Sequence, residues 1–241
     1  MTRSGTWKRS VRRTTHGRRG ASVGNVAIVT GASRGIGYAV ACRLSEDGYA
    51  VINISRTRQP KDSPTYEVPA NVGSARQVGK AFETVCAEYG APDVLVHCAG
   101  VYLGGDIRDE RAAVQMLHTN VEGTWHVMRA FALRGGECMV NIASTSAFRP
   151  SPEWPLYAAT KAFGAHLALS MGIPRAYNVA PGRTATELRA QMAPDEDPDS
   201  IMQPSAVADL VSYLVGDQGG YLNGQTITIR KPDVVSEVAS G

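Results

Sequence analysis

Short runs of apolar, β-branched residues alternate along the chain with longer stretches whose apolar positions recur at helical spacing. Residues 26–30, VAIVT, form the first run; the glycine-rich GASRGIG follows, then YAVACRLSEDG with a helical apolar pattern. This predicts a strand, a tight turn and a helix. AVINIS at 50–55 reads as a second strand and DVLVHCAG at 93–100 as a fourth, buried one. RAAVQMLHTNVEGTWHVMRAF, 111–131, is helix-like, and CMVNIAS, 138–144, is a buried strand ending in Ser144. YAATKAF, 157–163, starts a helix, and GYLNGQTITI, 220–229, is a turn with the last strand. Strands alternating with helices predict an α/β chain on a parallel sheet, whose ligands bind beyond the carboxyl ends of the strands.

Composition narrows this to one folded unit. A chain of 241 residues with 43% hydrophobic content can bury a single substantial core. No apolar run approaches the ~18 residues of a membrane span, so a soluble protein without a membrane partner is expected. Cys42, Cys86, Cys98 and Cys138 form no C-x-x-C pair and have no accompanying histidine spacing, which argues against zinc or disulfides and for a reducing, cytoplasmic setting. The five histidines are scattered, and no metal site is expected.

The net charge of +3 conceals an asymmetry: residues 1–24 hold six arginines, one lysine and no acid, so the remainder is net negative. That basic tail lacks the apolar core of a secretory signal and any helical stripe, and is expected to be disordered. It reads as an arm for an acidic surface or nucleic acid, as an organelle-targeting segment, or as a start placed too far upstream, with Val23 as the true beginning. A single catalytic domain is expected over 25–241, and nucleic acid is not the expected partner.

The candidate chemistry begins at the glycines. Gly31, Gly35 and Gly37 allow a tight turn and close approach of a pyrophosphate to the amides at a helix N-terminus. Tyr157 and Lys161, four apart on a helix, share a face, a usable geometry for proton transfer. The spacing of the loop TGASRGIG resembles the cofactor loop of the short-chain dehydrogenase/reductase family in its single-domain form, which implies a Rossmann-type, doubly wound parallel sheet flanked by helices.

The resemblance implies further residues. Ser33, Arg34 and Ile36 belong to the same cofactor loop. Where many relatives carry an acid for the adenosine ribose, the second strand ends in Ser55 and Arg56, which with Arg34 favours the extra phosphate of NADP(H). Asn71 and Val72 fall near the adenine, and Ala99 and Gly100 close the His97-Cys98-Ala99-Gly100 turn, where the family has Asn-Asn-Ala-Gly. That departure weakens any polar duty for positions 97 and 98. Pro181 and Gly182 fall beside the nicotinamide, and Thr186 near its carboxamide or the pyrophosphate.

Ser144, Tyr157, Lys161 and Asn120 match the family's catalytic residues, with Tyr157 as general acid and Ser144 as a second donor to the carbonyl oxygen. Lys161 is expected to lower the phenol's pKa and bind the nicotinamide ribose, and Asn120 to hold a water that links the lysine to solvent.

Two departures bear on the substrate. Only 24 residues separate Tyr157 from Pro181, fewer than usual, which puts the subunit arrangement in question, although a homodimer or homotetramer is still expected. The segment ELRAQMAPDEDPDSIMQPS is short, and a mobile lid with an open site is expected; Arg149, Glu153, Trp154 and Arg183 are candidates to line it. The sequence thus points to an NADPH-dependent reductase of a small-molecule ketone, free or carrier-linked. The alternatives are an NAD(P)-dependent alcohol dehydrogenase working oxidatively and a non-catalytic NADP-binding regulator.

Overall fold

The structure, a computed structural model, describes residues 25–57, 63–104 and 108–232; the basic tail expected at 1–24 lies outside them. Seven parallel strands make one sheet, β1 (Val26–Thr30), β2 (Ala50–Ile54), β3 (Tyr66–Glu67), β4 (Val94–His97), β5 (Cys138–Ile142), β6 (Arg175–Pro181) and β7 (Thr226–Ile229). Their order is β3-β2-β1-β4-β5-β6-β7, so the chain winds outward from β1 in one direction and from β4 in the other. The strand order reverses between β1 and β4, which opens a crevice at their carboxyl ends.

Helices cover both faces, which is why β1, β4 and β5 are buried throughout and mostly apolar rather than alternating. On one face α1 (Gly35–Glu46) and α7 (Pro204–Val215) bury Val40, Leu44, Val207, Val211 and Leu214. On the other, α2 (Ala75–Glu88) and α4 (Gly123–Ala132) bury Phe82, Val85, Met128 and Phe131.

The stretch 111–131, continuous in its apolar pattern, is divided in space. α3 (Glu110–Leu117) leads into a π-helical turn, His118–Glu122, closed by the Gly123 amide on the His118 carbonyl, before α4 begins. The extra residue in this turn carries Asn120 into the interior, and such turns recur at functional sites. The helix that carries Tyr157 and Lys161, α5 (Pro155–Ser170), runs a full 16 residues, so the short interval to Pro181 does not truncate it. It is tied to the sheet by Asn178, which donates to the Ala165 carbonyl at 2.9 Å and accepts from Asn141 at 2.9 Å. A short α6 (Glu187–Met192) follows β6.

Candidate active site

Beyond the carboxyl ends of the strands lies a cavity of about 420 Å³. One end is built by the turn between β1 and α1. Gly31 and Gly35 take left-handed backbone conformations, φ 69° and 57°, which favour glycine. At Gly37 a β-carbon would sit 2.4 Å from the Gly31 carbonyl oxygen, so only glycine lets the helix start this close to the turn. The Asn53 side chain fixes the loop by accepting from the Ala32 amide at 3.2 Å. Arg34, at the N-cap of α1, makes no side-chain cap, and the first turn carries no acid. The leading amides of a twelve-residue helix therefore face the cavity without a side-chain acceptor, a setting that suits a phosphate. Ser33, Ile36, Ser55, Arg56, Val72, Ala99 and Gly100 line the same space. A dinucleotide fits this cradle.

Asn71 does not line the cavity. Its side chain is turned away to accept from the Gly73 amide at 3.1 Å, while its own amide donates to Gln77 at 2.9 Å. The turn before α2 claims the residue, and the backbone neighbours Ala70 and Val72 face the cavity instead.

At the other end, Ser144, Tyr157 and Lys161 converge. Ser144 caps a 3₁₀ turn, Thr145–Phe148, and its oxygen accepts from the Ser146 amide at 3.2 Å and the Ser146 hydroxyl at 2.9 Å. With both acceptor sites used, the Ser144 proton is directed outward, on the side where Tyr157 lies. Ser146 was not anticipated from sequence, although the Ser-Thr-Ser run was the available clue. Burial pushes the Tyr157 phenol up to about 12, against a smaller lowering by Ser144. Lys161 is not the force on the phenol that its spacing suggested: its ammonium lies 6.0 Å from the centre of the Tyr157 ring and donates to the Ile142 carbonyl at 2.9 Å. Burial draws that ammonium down to about 8.

Asn120 is buried behind this pair, and all its side-chain bonds are internal. Its oxygen accepts from the Val101 amide at 2.8 Å, and its nitrogen donates to the Val101 carbonyl at 2.9 Å and to Thr160 at 3.1 Å. It therefore locks the Gly100 turn to α5, where a β-carbon on Gly100 would come within 3.3 Å of the Lys161 ammonium.

His97 has a polar duty after all. The Thr30 hydroxyl accepts from the Cys98 and Ala99 amides at 3.2 and 3.1 Å, so its proton goes to His97 Nδ1 at 2.9 Å. His97 Nε2 then donates to Thr124 at 3.0 Å, and Thr124 donates to the Asn120 carbonyl at 2.6 Å. Each member has one proton to give and one acceptor to receive it. Burial holds the imidazole near 3, hence neutral. The chain joins the end of β1 to the π-helical turn.

Pro181, Gly182 and Thr186 close the far wall, and Thr186 caps α6 by accepting from the Arg189 amide at 3.1 Å. Arg149, Trp154 and Arg183 line the cavity, while Glu153 does not. The expected mobile lid is pinned: Glu196 takes a fork from Arg189, 2.5 and 3.0 Å, and a further bond from Arg183, 2.9 Å. Among the described residues no cluster of potential metal ligands occurs, and no helix is long and apolar enough to cross a membrane.

The model of a family described as short chain dehydrogenase matches residues 25–197. The human protein named dehydrogenase/reductase SDR family member 4 is 30% identical, with 88% of each chain covered. The 3-oxoacyl-(acyl-carrier-protein) reductase FabG of Staphylococcus aureus is 28% identical over 85% of this chain and 96% of its own. A solved structure described as a ribose-5-phosphate isomerase from Brucella melitensis 16M superposes with a TM-score of 0.77 at 28% identity, covering 86% of this chain and 91% of that one. A redox assignment thus rests on the family match and the site, not on shape.

Proposed function

The chain belongs to the short-chain dehydrogenase/reductase family, and from that premise we propose that it is an NADPH-dependent carbonyl reductase. Its substrate is a ketone such as a 3-oxoacyl thioester or a polyketide-like or cyclic ketone. The observation that carries the reading is the convergence of Ser144, Tyr157 and Lys161 at one end of a cavity whose other end is an uncapped helix N-terminus.

When bound, NADPH supplies the hydride. Hydride arriving at a ketone leaves negative charge on oxygen, and two hydroxyls from this chain then stabilise it. Tyr157 gives up its proton to that oxygen; Ser144, oriented by Ser146, donates a hydrogen bond. A phenol held near 12 keeps its proton throughout the neutral range, as a general acid in the reductive direction requires. Lys161 has donors beyond the one spent on Ile142 with which to hold the nicotinamide ribose. Arg34 and Arg56, both exposed at the ribose end of the cavity, support NADPH over NADH through pairing with the extra phosphate. A cytoplasmic homo-oligomer is part of the same reading.

The test is steady-state consumption of NADPH and NADH against 3-oxoacyl thioesters, cyclic diketones and quinones. Turnover with NADPH that falls by roughly 10²–10⁴ in Tyr157→Phe is expected. A Tyr157→Phe protein as active as the wild type would remove the proposed acid.

A further inference from the structure

Four side chains from three segments meet beside the cavity, which Trp154 and Arg189 line. The Trp154 indole lies beside the Tyr102 hydroxyl, close enough to moderate the upward push that burial gives that phenol. The Arg189 guanidinium stacks on the Trp154 ring, 5.6 Å to its centre. The edge of the same guanidinium makes the fork with Glu196, so the face and the edge of one planar cation are both committed. These are not rim charges: the Arg189 and Glu196 side chains are only 17% and 13% exposed.

The cluster also reaches the catalytic helix. Trp154 is the N-cap of α5, where its carbonyl accepts from the Ala158 amide at 3.0 Å, and Tyr157 lies three residues on. The Tyr102 ring stands edge-on to Tyr157 at 6.0 Å. A shift at Glu196 would thus pass through Arg189 and Trp154 to the start of the helix that carries the acid. Three of the segments that border the substrate, 101–104, 150–154 and 187–197, are joined by this one chain of contacts.

We propose that Tyr102, Trp154, Arg189 and Glu196 form a brace that holds the 187–197 segment closed, with Arg189 and Glu196 positioning Trp154 as the wall that limits the bulk of the ketone. The substrate role rests on the reductase reading above; the brace itself does not. Closure of this kind excludes water from the proton-transfer site. The brace selects compact or linear ketones over bulky fused-ring ones, and opening it reverses that order.

The experiment has two arms. The first uses protein in which Trp7 and Trp125 are phenylalanine, so that only Trp154 emits, and measures acrylamide quenching with no cofactor or ketone present. Arg189→Leu and Glu196→Ala should each raise the quenching constant about twofold. Arg189→Lys, which keeps the charge but loses the plane and the fork, should not restore the parent value. Glu196→Gln, a near-isostere, and a circular dichroism spectrum guard against a folding defect. In the second arm, with native tryptophans, the same variants should raise KM for acetoacetyl thioester about tenfold, lower kcat by a smaller factor, and shift selectivity toward a bicyclic ketone. Unchanged quenching overturns the brace. Raised quenching with unchanged KM and selectivity overturns its role as a wall. Raised quenching in a protein whose wild type reduces no ketone leaves the brace standing and removes the reductase reading.

Discussion

Two groups with oppositely shifted protons face each other in the site, and their titrations make the account testable residue by residue. The Lys161 ammonium, drawn down to about 8 by burial, is charged below that pH and neutral above it. Its charge attracts an anionic dinucleotide, so kcat/KM for NADPH, which reports the free enzyme, should fall as pH rises through about 8. Tyr157, near 12, should add no break in the neutral range. The same desolvation bears on stability. Because the folded value lies below the usual 10.5, the charged form is disfavoured in the folded state; the penalty is complete below about 8 and is relieved as pH rises toward 10.5. Lys161→Met should therefore inactivate the enzyme yet stabilise it at neutral pH. The gain is about 1–2 kcal/mol once the lost Ile142 bond is deducted, a rise in melting temperature of a few degrees. A lower melting temperature would contradict this reading of the lysine. The spacing of Ser144, Tyr157 and Lys161 was legible in the chain. That burial, rather than the lysine, dominates the phenol was not, because desolvation depends on packing that no local spacing encodes. His97 was missed for a related reason: its partners Thr30 and Thr124 are distant in sequence and meet only where β1 lies beside β4.

At the scale of elements, the glycine-rich turn makes the sharpest claim. A β-carbon at position 37 would strike a backbone oxygen at 2.4 Å, and backbone cannot swing aside. Gly37→Ala should cost about 1–3 kcal/mol of stability and at least about tenfold in NADPH affinity, measured by fluorescence titration. Binding at wild-type strength would mean that the turn is not the cradle. Strands and helices were largely legible because each buried strand is a short apolar run bounded by glycine or polar residues. The π-helical turn at 118–122 was not, since inserting one residue leaves the apolar pattern of 111–131 nearly continuous. The short lid was legible as sequence but not as behaviour. Proline and acid suggested mobility, whereas the fork of Arg189 on Glu196 anchors it through residues seven apart.

For the whole molecule, the reversal of strand order between β1 and β4 puts the glycine turn, the Gly100 turn and Ser144, Tyr157 and Lys161 on one side of the sheet. The outer surface is less neutral than a monomer needs. Trp125 on α4, Leu133 at its C-cap, and Phe163 and Leu169 on α5 are 44%, 64%, 37% and 40% exposed. Such apolar residues on adjoining helices favour association, so light scattering should give a dimer or tetramer that Trp125→Glu weakens. A monomeric wild type at micromolar concentration would refute that assembly.

The central claim is that this chain moves hydride from NADPH to a ketone, with Tyr157 as the proton source. Its most direct test is to supply NADPH deuterated at the transferring position together with a mixture of ketones, and to examine the products by mass spectrometry. The account predicts an alcohol carrying one deuterium on the former carbonyl carbon, formed by the wild type and not by Tyr157→Phe. Deuterium transfer undiminished in Tyr157→Phe, or tight NADPH binding with no deuterated alcohol from any ketone, would contradict it.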